Sequence, residues 1–83
     1  MLKQYSTFEN MRIFCSSSRT RDGFFKVFIE KENSLSELGI DMPDMKIMKN
    51  EDFDETDLQS ILDFLLKNKE SISEFAASLR KKL

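Results

Sequence analysis

Between Met11 and Cys15 apolar and polar residues alternate, with Met11, Ile13 and Cys15 on one face and Arg12 and Phe14 on the other, which predicts a strand. Phe24–Glu30 predicts another, with Phe25, Val27 and Ile29 on one face and Phe24, Lys26 and Phe28 on the other. Both sides of this strand are partly apolar, so it is expected at the centre of a sheet or with its second face against a partner. Upstream, Leu2, Tyr5 and Phe8 recur every third residue, a spacing that suits a helical turn or irregular packing better than a strand. Ser16–Gly23 reads as a loop closing on the turn pair Asp22-Gly23. Next, Ser34-Leu-Ser-Glu37 has capping-box spacing, and Gly39 is placed to end a single helical turn. Pro43 keeps Met42 out of the helical region, so Asp41–Asp44 is expected to turn. Met45–Lys49 then reads as a short third strand with Met45 and Ile47 inward.

The period changes in the C-terminal third. Leu58, Ile61, Leu62 and Leu65 follow at helical spacing, and Ile72, Phe75, Ala76 and Leu79 repeat the same spacing in phase with them. Asp52 or Asp54 is the expected N-cap, with Glu55 and Asp57 at the positive end of the helix dipole. Two stripes in phase suit one continuous helix. Yet Asn68 is a stop signal and Ser71-Ile-Ser-Glu74 is a second capping box, so two helices over residues 54–82 fit equally well. Arg80, Lys81 and Lys82 suit the last turn, where the dipole favours cations. The fold expected is α+β: a small antiparallel sheet of two or three N-terminal strands (about 11–15, 24–30 and 45–49) packed against a C-terminal amphipathic helix or helix pair. At 83 residues, the chain is expected to form a single domain, 1–83.

Composition narrows the class. With 40% apolar residues, two glycines and one proline, disordered and collagen-like chains are excluded. No apolar run approaches membrane-spanning length, and no signal-peptide order is present. A single cysteine cannot form an internal disulfide, which favours a cytoplasmic location. The net charge of −2 conceals three blocks: residues 1–29 carry +3, residues 30–63 carry −8, and residues 64–83 carry +3. These blocks either attract one another within the monomer or steer a partner.

The catalytic inventory is short. Histidine is absent, which removes the commonest general base, Ser–His and Cys–His nucleophile pairs, and the commonest zinc ligand. The acidic run Glu51-Asp52-Phe53-Asp54-Glu55-Thr56-Asp57 lacks the glycine and the spaced glutamate of a calcium loop, so it reads as a helix cap with solvated charge. No metal and no cofactor are expected.

Cys15-Ser-Ser-Ser-Arg-Thr-Arg21 has the Cys-x5-Arg spacing directly after a predicted strand. It resembles the phosphate-binding loop of cysteine phosphatases and related arsenate reductases. The resemblance covers seven residues and implies a phosphate-handling enzyme in which Cys15 attacks phosphorus while backbone amides and Arg21 hold the oxyanion. That chemistry needs a helix N-terminus just behind the loop, to bind the anion and lower the thiol pKa. Here the following segment reads as strand, and the loop interior lacks glycine.

Two binding functions remain. Arg19 and Arg21, with Lys26, Arg12 and Phe24, can meet nucleic-acid phosphates and stack a base. Against that, the sequence pI near 5.1 and the lack of a broad basic stripe make nucleic acid the lesser alternative. The other is protein binding. The C-terminal stripe can be set out in heptads, with Leu58, Leu65, Ile72 and Leu79 at one position and Ile61, Asn68 and Phe75 at the other, serving either the sheet or an intermolecular seam. Phe24, Phe28, Met48, Phe64 and Leu66 add apolar surface beyond what one helix–sheet layer requires, a surplus that suits a partner or a homodimer. The sequence therefore predicts a small, non-enzymatic protein-binding module that regulates or inhibits a macromolecular partner. Glu51, Asp52, Asp54, Glu55, Asp57 and Phe64 are its predicted contact residues, aimed at a basic surface on the partner. Antitoxins, immunity proteins and inhibitors of host defence offer an analogy of size and charge alone.

Overall fold

The computed structural model describes residues 2–16, 24–32 and 35–81. Five strands and two helices follow in order: β1 (Leu2–Phe8), β2 (Met11–Ser16), β3 (Phe25–Lys31), β4 (Glu37–Met42), β5 (Lys46–Glu51), α1 (Glu55–Lys67) and α2 (Lys69–Lys81). The strands form one antiparallel sheet in sequential order, so β3 is central and β1 and β5 are the edges. The α+β class stands, but a sheet of two or three strands does not: β1 and β4 are strands, and β5 reaches Glu51.

Each departure has a local cause. In β1 the register shifts between Gln4 and Ser6, and this bulge inserts Tyr5 as an extra residue. Tyr5 meets Phe75 edge-to-face at 5.3 Å between ring centroids, and Phe8 stacks on Phe64 at 4.7 Å. Both aromatics thus reach the helical layer although they stand three residues apart, so the period of three marks a bulged strand. In β4, Leu38, Ile40 and Met42 alternate inward against β3 and are almost fully buried. The pairing of Glu37 with Glu30 and Gly39 with Phe28 overrides the capping-box signal, because ladder bonds and three buried side chains outweigh one helical turn. The turn expected over Asp41–Asp44 falls later, because Asp41 and Met42 complete β4 against Lys26 and Phe25: Pro43–Met45 links β4 to β5, with a cis Met42–Pro43 bond and Met45 at φ 57°. Met45 packs against the core, but Ile47 on the edge strand remains 37% exposed.

The C-terminal segment is two helices. Asp54 caps α1 by accepting from the Asp57 amide at 2.8 Å, and Asp57 Oδ2 accepts in return from the Asp54 amide at 3.4 Å. Asn68 closes α1, its amide and side-chain nitrogens bonding the Phe64 carbonyl, and its own carbonyl accepts from Ile72 to start α2. The second helix therefore begins at Lys69, ahead of Ser71, whose hydroxyl bonds Tyr5 Oη at 2.8 Å.

The core lies between the helices and one sheet face. Met11, Ile13, Cys15, Phe25, Val27, Ile29, Leu38, Ile40 and Met42 meet Phe53, Ile61, Leu65, Ile72 and Ala76, with α2 packed over β2. The helical stripe therefore serves the sheet. Each fully buried Ile or Leu contributes roughly 1.5–3 kcal/mol. No helix among the described residues is long and apolar enough to cross a membrane.

Candidate protein-docking groove

The acidic segment divides into structural and exposed members. Asp54 and Asp57 form the cap of α1, and Asp57 also takes the Lys31 ammonium at 2.7 Å. Lys31 holds the Asp57 carboxyl below its ordinary range, mainly through that hydrogen bond. Reversing Asp54 or Asp57 would therefore disrupt the start of α1, and both are removed from the set of contact residues. Phe64 is removed as well, because it is half-buried against Phe8. Glu51, Asp52 and Glu55 are exposed. Glu51 meets Lys49 at 3.2 Å on the sheet face away from the helices, so Asp52 and Glu55 are the exposed acids near the start of α1 that take no part in its cap.

Beside them runs a groove of about 600 Å³ between β5 and α1, lined by Ile47, Glu55, Thr56, Leu58, Gln59, Ser60 and Leu62. Its position follows from the chain path. The turn Asp52–Asp54 brings α1 back across the sheet immediately after the edge strand. Asn50 holds that turn by donating to the Phe53 carbonyl and accepting from the Phe53 amide, both at 3.1 Å. Ile47, Leu58 and Leu62 give the groove an apolar floor, and β5 presents the outward backbone N–H and C=O groups of a sheet edge. Ile47 and the edge itself were missing from the sequence-derived contact set. The only sequence signal for them was an isoleucine in a strand otherwise polar at its ends.

A smaller cleft of about 400 Å³ at the other end of β3 is lined by Ser16, Phe24, Phe25, Lys26, Asp41, Met42, Asp44 and Lys46. Lys26 faces Asp41 at 3.8 Å there. Arg19 and Arg21 lie outside the described residues. The Cys15 thiol is fully buried, and burial pushes its pKa up to about 12. That is the reverse of the lowered thiol pKa the Cys-x5-Arg chemistry requires, and β3 rather than a helix follows the loop. Among the described residues, no group of three acidic, cysteine or histidine side chains is disposed to hold a metal ion.

Compared with known proteins, the chain matches no family model, no curated protein and no solved structure.

Proposed function

We propose that this protein is a non-catalytic binding module that regulates or blocks a macromolecular partner by accepting an extended segment of it along β5. The supporting observation is the apolar floor of Ile47, Leu58 and Leu62, set between an edge strand and the exposed acid Glu55, with exposed Asp52 in the turn that precedes α1. A strand added to β5 would satisfy the edge backbone groups, and its alternate side chains would fall over the groove. Apolar residues there gain the floor, and a basic residue at the α1 end gains Asp52 and Glu55. Lys46 and Lys49 line the same edge, and the register shift opposite Gly39–Ile40 bends it. The bulge discourages pairing of β5 with itself, which leaves the edge to a strand of different sequence.

Panning a random peptide library on the protein tests this reading. Enriched peptides are expected to alternate apolar and basic residues and to protect the β5 amides from hydrogen exchange. Ile47→Arg should weaken them by about tenfold or more. Asp52→Lys with Glu55→Lys should slow association at low salt and have little effect at high salt. Enrichment of acidic peptides, or binding unchanged by Ile47→Arg, rejects the groove.

A further inference from the structure

The helices cover one face of the sheet, and no other described element crosses the second face. Strand pairing arranges that open face in three rows running across the strands. The middle row is Gln4, Phe14, Phe28, Gly39 and Lys49. Phe14 and Phe28 are direct cross-strand partners, both half-buried, and the Phe28 ring edge lies 3.6 Å from where a Gly39 Cβ would stand. The row on one side is Thr7, Arg12, Glu30, Glu37 and Glu51, with net charge −2. The row on the other is Leu2, Ser16, Lys26, Asp41 and Lys46, with net charge +1. An apolar centre is thus flanked by rows of opposite sign.

We infer that this face pairs with the same face of a second copy, about a two-fold axis that runs across the strands along the Phe14–Phe28 row. Such an axis keeps each strand over its own counterpart and exchanges the two outer rows. Glu30 of each copy then faces Lys26 of the other, on the central strand, and Glu51 faces Lys46. The other in-plane axis, parallel to β3, brings Arg12 to Glu37 but sets Glu30 against Glu30 and Lys26 against Lys26 on the central strand. Charge therefore selects the first. Glu30 is placed for this contact, because Arg12 Nε and a terminal nitrogen both reach Oε1 at 2.9 Å while the Glu30 side chain stays 42% exposed to a second cation. Two like-charged contacts remain, Glu37 facing Asp41 and, on the axis itself, Lys49 facing its counterpart, but Glu37 and Asp41 each have a lysine of their own face, Lys49 at 3.2 Å and Lys26 at 3.8 Å, and Lys49 is held by Glu37 and Glu51. The twist between stacked sheets grows away from the axis centre, so the β3 pair is the contact the geometry holds best. Five strands of six residues make a face of roughly 20 by 24 Å. Two such faces remove about 1,000 Å² from water, near the lower limit of specific interfaces, so a weak, reversible dimer is expected. The groove beside α1 stays open in this arrangement.

Sedimentation equilibrium of the full chain between about 1 and 200 μM tests the inference. A reversible dimer is expected. Phe14→Ser with Phe28→Ser should abolish it, with circular dichroism reporting whether the fold survives. Lys26→Glu and Glu30→Lys should each weaken dimerisation by about tenfold, and the double variant should recover to within about threefold of the parent. That recovery would not come from a role inside the monomer, where the double variant sets a lysine at position 30 against Arg12 and a glutamate at position 26 against Asp41. A protein that stays monomeric at the highest of these concentrations overturns the proposal. So does a dimer indifferent to the phenylalanine substitutions, or a double variant no better than its singles.

Discussion

The Lys31 ammonium donates to Asp57 Oδ2 at 2.7 Å and so joins the end of β3 to the first turn of α1. The same nitrogen donates to the Asp52 carbonyl at 3.0 Å and stands 4.8 Å from the centroid of the Phe53 ring. One lysine therefore anchors the β5–α1 turn at three points. Asp57 carries two duties, since its Oδ2 also accepts from the Asp54 amide in the capping box. The pair is partly shielded, at 23% and 30% side-chain exposure, which lifts it above the ordinary surface ion pair.

Lys31→Met should destabilise the protein by about 1–2 kcal/mol, and Asp57→Ala by a similar amount because it also removes a cap partner. Urea denaturation of both singles and the double gives the coupling, expected at roughly 0.5–1.5 kcal/mol. Coupling near zero would mean that the two side chains act independently in solution.

The Asp57 carboxyl is held low by Lys31 first and by the Asp54 amide after it, with burial opposing them. A carboxyl lowered by folding contributes fully above its unfolded value of about 3.9, and that contribution is lost as pH falls through the folded value. Stability should therefore decline below about pH 4, and Asp57→Asn should flatten part of that decline. Urea midpoints from about pH 6 down to about pH 2.5 measure the difference.

Cys15 titrates in the opposite sense. Folding raises the thiol from 9.0 to about 12 by burial, so the native state keeps the proton that the unfolded chain gives up. Its contribution is complete below pH 9.0 and erodes as pH rises towards about 12. Alkaline urea titrations should show an erosion that Cys15→Ala lacks. At neutral pH a thiol-specific disulfide reagent should label Cys15 only through opening of the fold, and rapid stoichiometric labelling would contradict the burial.

Backbone conformation separates two turn-type positions. Gly39 does not need a left-handed φ, and a Cβ there would lie 3.5 Å from Lys49 Cβ, ordinary contact. Gly39→Ala should change stability by less than about 1 kcal/mol, whereas a glycine ending a helical turn would not tolerate the change so well. Glu9, at φ 56° in the two-residue β1–β2 turn, does occupy that region. Glu9→Gly should be neutral or stabilising by up to about 1 kcal/mol. Thermal melts of both variants read the contrast.

Much of this architecture is written locally. Met11–Cys15 and Phe25–Ile29 alternate because each has one face in the core, and Leu58 to Leu65 recur at helical spacing because α1 buries one stripe. Asp54 and Asn68 punctuate the helices through bonds to their own neighbours, so both signals survive in the sequence. The burial of Cys15 was equally legible, because it shares the alternating apolar face of Met11 and Ile13.

Other features depend on pairing with distant segments. Tyr5 and Phe8 look unlike a strand because a bulge opposite β2 adds a residue, and only the partner strand reveals it. Leu38, Ile40 and Met42 alternated all along, but Ser34, Glu37 and Gly39 offered a competing local turn that β3 and β5 overrule. The division of the acids into a cap tied to Lys31 and an exposed pair, Asp52 and Glu55, needed the approach of β3 to the start of α1. The sequence alone determined which residues are apolar at which period and offered Asn68 as a place to break the helical segment, because those signals act over a few residues; that the break is made was left open there and is seen only in the structure. Tertiary structure decided the strand count, the edge position of β5 and the open Phe14–Phe28 face, because a sheet is built from hydrogen bonds between segments whose register no single segment encodes.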